Sequence, residues 1–137
     1  MVITKAILEV TMELAQTAEK AYHVYANKYL PDIISLSDDI HSDSFEYQKY
    51  HEYERALNKY LLDLDYEIIK DLQAIMYLGR DKDFADMLSG EKRFEAIRRS
   101  LTWDKNKSVE VYQMTEKLPL YEYLAKGTEI IKPYSFR

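Results

Sequence analysis

The 137-residue chain is predicted to fold as an all-α protein, a compact helical bundle in a single domain over residues 1–137. Three observations predict it. Apolar residues recur at steps of three and four along most of the chain, which puts them on one helical face. No run of convincing length shows the two-residue alternation of a half-buried strand. Glycine and proline number only three each, so few turns need positive φ and few breaks interrupt helices. A chain of this size buries roughly two thirds of its unfolded surface. Its 47% of hydrophobic residues can therefore build a core without disulfide or metal staples.

The elements follow in order. A first long helix is predicted over residues 4–30, with Ile7, Thr11, Leu14, Ala18, Ala21, Tyr25 and Tyr29 on one face and Thr4 as its cap. Pro31 ends it, because the residue before proline is pushed out of the α region. Residues 31–44 read as an acidic connection. A second helix over residues 44–63, capped by Ser44 or Asp43, carries Tyr50, Tyr53, Leu57, Tyr60, Leu61 and Leu64 as its stripe, with Tyr47 beside it. These two long helices are expected to lie antiparallel. The third, capped by Asp65, is apolar over more than one face and is expected to be central. Gly79 is placed as its left-handed terminating residue. Shorter helices complete the bundle: one within residues 81–89, one over residues 91–103 with Phe94, Ile97 and Leu101 inward, and one capped by Ser108. The last starts at Pro119 and carries Leu120, Leu124, Thr128 and Ile131.

Composition excludes several functions. With no cysteine there are no disulfides, thiolate zinc sites, iron–sulfur clusters or cysteine nucleophiles. The net charge of −5 disfavours a general nucleic-acid or anionic-membrane binder. All of that charge lies in residues 1–64, which hold 11 acids against six bases. No stretch approaches the roughly 20 apolar residues of a membrane helix, and no signal-peptide pattern opens the chain, so a cytoplasmic location is expected.

From Leu64 onward three pieces stand out. They are Asp65-Tyr66-Glu67 leading to Ile75-Met76-Tyr77-Leu78-Gly79-Arg80-Asp81, the charged helix pair after it, and the ending Leu118-Pro119-Leu120-Tyr121-Glu122-Tyr123-Leu124-Ala125-Lys126-Gly127 with Ile130-Ile131. In these the C-terminal half resembles an uncharacterised bacterial helical family, domain-of-unknown-function family three-seven-seven-five. Members usually carry tryptophan where this chain has Tyr77. The resemblance implies a helical bacterial cytoplasmic domain and brings no activity and no catalytic residues.

Asp38, Asp39, His41 and Asp43, with His51 and Glu54 one helical turn apart, have metal-ligand character. A solvated acidic loop explains the same residues, and His23 reads as a helix-surface residue. No paired carboxylates, serine elbow or glycine-rich phosphate loop can be assigned, and no cofactor or metal is expected. Arg80, Arg93, Arg98 and Arg99, with Lys82, Lys92, Lys105 and Lys107 near Trp103, form the one basic patch and the candidate anion-binding set. Interleaved acids make a solvated helix face an equal explanation, and Glu95 stands four residues before Arg99.

Tyrosine is the odd feature, at 13 residues. Tyr22, Tyr25 and Tyr29, facing Tyr47, Tyr50 and Tyr53, read either as an intramolecular seam or as a self-association face. The leading expectation is a non-catalytic protein-interaction or structural module that forms a homodimer. Its rivals are an acidic decoy or inhibitor of a basic protein and a metal- or nucleotide-linked enzyme.

Overall fold

A computed structural model describes residues 2–29, 44–81, 89–101, 106–117 and 119–131. Among these residues it has six α-helices and no strand: α1 (Lys5–Tyr29), α2 (Phe45–Leu62), α3 (Tyr66–Arg80), α4 (Gly90–Ser100), α5 (Lys107–Thr115) and α6 (Leu120–Ile130). None of the described helices is long and apolar enough to cross a membrane. The acidic connection with Asp38, Asp39, His41 and Asp43, residues 82–88 (which include Lys82 and most of the expected short helix), Trp103, Lys105 and the C-terminal tail lie outside the described residues.

The first two helices lie within a residue or two of their predicted bounds, but of the predicted faces only Thr11, Ala18 and Tyr25 of α1 and Leu57 and Leu61 of α2 are buried among the described residues. Thr4 Oγ1 accepts from the Ile7 amide at 3.2 Å and caps α1. Leu8, Thr11, Ala15, Ala18 and Tyr25 are buried along it. Thr11 is a polar residue at a core position, and its hydroxyl is satisfied by the Ile7 carbonyl at 2.8 Å. Ser44 caps α2 by accepting from the Tyr47 amide at 3.1 Å. Tyr22 meets Tyr50, and Tyr25 meets Tyr47, each edge to face at 5.2 Å between ring centroids. Lys28 and Glu46 close the same seam at 2.5 Å.

α3 buries ten of its 15 residues and packs against α4, α5 and α6. The core joins Ile69, Leu72, Ile75 and Leu78 of this helix to Leu61, Met114, Leu124 and Ile131. Asp65 occupies its N-cap position but makes no side-chain capping bond. Gly79 does not terminate the helix, as the sequence led one to expect: α3 continues through it to Arg80. The reason is α6. A Cβ on Gly79 would enter the Tyr123 carbonyl and stand 2.7 Å from the Gly127 amide nitrogen, and a Cβ on Gly127 would enter the Ile75 carbonyl. The two glycines let the helices cross at backbone distance.

Two further boundaries differ from expectation. α4 stops at Ser100, because Leu101 turns to extended backbone at φ −72°, ψ 110°. α5 is capped by Asn106, whose side chain accepts from the Val109 amide at 3.3 Å, so Ser108 falls inside the first turn. A buried carboxylate ties the chain start to this half. Asp71 on α3, 1% exposed, accepts from the Val2 and Ile3 amides at 2.6 and 2.9 Å and from Arg98 Nε on α4 at 2.8 Å.

Candidate functional site

The α1–α2 pair carries most of the side chains singled out by sequence, and it has two different faces. Along the seam, Tyr25 is buried, while Tyr22, Tyr47 and Tyr50 are half-buried. The Tyr50 hydroxyl donates to Glu54 at 2.6 Å. Burial, then this bond and the Glu54 charge, push the phenol well above its ordinary titration range. His51 lies edge-on to Tyr47 at 4.4 Å, with Nδ1 3.9 Å from Glu54. His23 stands 3.7 Å from Glu19 on its own helix.

The face toward α5 and α6 encloses a cavity of about 10 Å³ between Ala15, Ala18, Glu19, Glu54, Thr115 and Lys117. Glu19 of α1 and Glu54 of α2 both line this space. The space suits a single water molecule and is too small to admit a substrate. Among the described residues no three metal-ligating side chains converge, the His51–Glu54 pair included.

The opposite face is apolar and open. Ala21 and Val24 of α1 with Phe45 and Tyr53 of α2 line a groove of about 340 Å³, together with Lys20, Lys49 and Glu46. Phe45 is 72% exposed and Val24 57%. Helix geometry explains both. Val24 precedes the buried Tyr25 and is rotated about 100° from it. Phe45 is the first residue of α2, directly after its cap. Lys49 Nζ stands 5.4 Å from the Tyr53 ring centroid and 4.0 Å from Glu52, and Lys20 makes no ion pair among the described residues. Of the six tyrosines proposed as an interface, Tyr53 is the one that lines this groove. The side chain of Tyr29 is outside the described residues.

Among the described residues the basic side chains do not gather at one point. Arg98 binds Asp71 and also Glu67, at 2.5 Å. Burial opposes its charge, but the two carboxylates more than offset that, and its pKa rises. Arg80 pairs with Asp81 at 2.9 Å and lies 4.5 Å over the Tyr77 ring. That hydrogen bond holds the Asp81 carboxyl below its ordinary range. Arg98 and Arg99 share a shallow dish with Val2 and Phe94, whereas Arg80 lines a separate one with Gln73 and Tyr77. Arg93 is half-buried on α4. Lys107 donates to the Leu64 carbonyl at 2.6 Å.

The sequence reading does not single out Val24, Phe45, Asp71 or the shared cavity of Glu19 and Glu54. The available signals were an apolar residue off the buried stripe and an acid inside an apolar run. No protein-family model, curated protein or solved structure matches the chain.

Proposed function

We propose that this chain is a cytoplasmic, non-catalytic interaction module that self-associates as a homodimer through the outer face of its first two helices. The observation that carries the reading is the contiguous apolar groove of Ala21, Val24, Phe45 and Tyr53. Scattered exposed apolar residues are ordinary, but a joined set beside a groove marks a binding surface. The reading takes α1 and α2 as an antiparallel pair, supported by the contact order Lys28 with Glu46, Tyr25 with Tyr47 and Tyr22 with Tyr50. It takes α3 as the central helix, supported by its ten buried residues. Kinship with the bacterial family named above belongs to the same proposal and rests on the residues quoted there.

The experiment is sedimentation equilibrium of the full chain beside its Val24→Asp and Phe45→Ser variants, with circular dichroism as the check on folding. The wild type is expected to sediment as a dimer, and both variants as folded monomers. A wild type that stays monomeric at the highest attainable concentration overturns the proposal.

A further inference from the structure

A second exposed apolar feature lies on a different element. Val109 and Tyr112 of α5 are 40% and 62% exposed, while Val111 and Met114 of the same helix are fully buried. Glu116 follows as its exposed C-cap residue, still in helical backbone at φ −72°, ψ −13°. Steps of three and four put Val109, Tyr112 and Glu116 in one outward row. The row is two apolar side chains ending in an acid. Its ends are seven positions apart, or about 10 Å of helix.

The groove on α1 and α2 has the complementary features. Its α1 wall runs from Thr17 to Val24, also seven positions apart and about 10 Å. Its lining is apolar at Ala21, Val24, Phe45 and Tyr53, and it carries Lys20 and Lys49 where the row carries Glu116, while the one acid of the lining, Glu46, is already paired with Lys28. All the described groove residues come from α1 and α2, while α5 packs its other side against α2 and α3. The two surfaces therefore face outward from separate parts of one chain and can meet only between copies.

We infer that the occupant of the groove is the α5 row of a second copy of this chain, with Val109 and Tyr112 on Val24 and Phe45 and with Glu116 against Lys20 and Lys49. The inference rests on the self-association proposed above and names the surface that this association uses. Each copy offers both halves of the contact. In a two-fold dimer the contact is made twice, since residue i then meets residue j and residue j meets residue i.

Complementation tests it. The groove variant is Val24→Asp with Phe45→Ser, and the row variant is Val109→Ser with Tyr112→Ser. All four positions are exposed, and circular dichroism checks that both variants fold. Each variant alone is expected to lose self-association by about 30-fold or more in dissociation constant, the effect typical of truncating aromatic anchors. A 1:1 mixture retains one intact contact, between the row of the groove variant and the groove of the row variant. Native mass spectrometry should then show a heterodimer tighter than either homodimer. A row variant that dimerises like the wild type, or a mixture that fails to pair, overturns this inference while leaving a dimer through the groove standing. A monomeric wild type removes both.

Discussion

Replacing Gly79 by alanine tests the helix crossing at the heart of the bundle. Two effects oppose one another. Alanine is favoured over glycine inside a helix by about 1 kcal/mol, so an uncrowded Gly79 would gain stability. The new Cβ, however, would enter the Tyr123 carbonyl and crowd the Gly127 nitrogen, and both are backbone atoms that cannot rotate away. Relief requires α6 to move off α3 by at least about 1 Å, given ordinary contact distances of 3.5 Å or more. That movement would also loosen Leu120, Leu124 and Ile131, which are 2% exposed or less. Overpacking of a fixed core costs about 1–3 kcal/mol and more where backbone must shift. The net expectation is a loss of about 2 kcal/mol or more, since the backbone must shift, read as a lower urea midpoint with unchanged slope. The Gly127→Ala variant should behave alike, because its Cβ meets the Ile75 carbonyl across the same crossing. One displacement relieves both clashes, so the double variant should lose less than the sum of the two. A Gly79→Ala protein that is more stable than the wild type would refute the crossing.

Other expectations can be checked with similar tools. Asp71→Ala leaves the Val2 and Ile3 amides without their acceptor and Arg98 with Glu67 alone, and should cost about 3 kcal/mol in urea titration. Asp71→Asn keeps an acceptor and should cost roughly half of that or less. Tyr50 has its pKa raised in the folded chain above an ordinary value near 10, so its neutral form contributes stability that is complete below about pH 10 and is lost as pH climbs through the folded value. Tyr50→Phe should therefore flatten the alkaline decline in stability, and an unchanged alkaline slope would count against the Glu54 bond. Asn106→Ala should cost about 1 kcal/mol as a lost cap, whereas Ser108→Ala should be close to neutral in the same thermal melts.

The parts of the fold legible in sequence are those set by neighbours three or four residues apart. Leu57 and Leu61 are buried as the stripe of the second helix requires, and Ser44 caps where a hydroxyl precedes the helical pattern. Gly79 was not legible, because a glycine near a helix end serves equally as a left-handed stop or as a crossing point. Only its partner in α6, far along the chain, decides between them. Asp71 was visible as an acid in an apolar run, but its partners lie 27, 68 and 69 residues away. The arginines looked free because Glu67 and Asp71 come from another helix than Arg98. The groove was hidden for a further reason: Val24 and Phe45 are single apolar residues off the stripe, and each alone is unremarkable.

Core and groove are separable, and that has a measurable consequence. The groove residues Val24 and Phe45 are exposed and take no part in the buried cluster around α3. Truncating them should leave the folded chain intact while abolishing association. A dimer, in contrast, adds to folding stability by mass action. Above its dissociation constant, each tenfold rise in wild-type concentration should stabilise the dimer by about 1.4 kcal/mol per mole, seen as a urea midpoint that climbs with concentration. The Phe45→Ser midpoint should stay fixed over the same range. Gly79→Ala should show the reverse pattern, with a lower midpoint that still climbs, because its lesion lies in the core and its groove is whole. A wild-type midpoint independent of concentration would mean that Phe45 and Val24 face water in the working state, and the exposed row on α5 would then lack a partner in this chain.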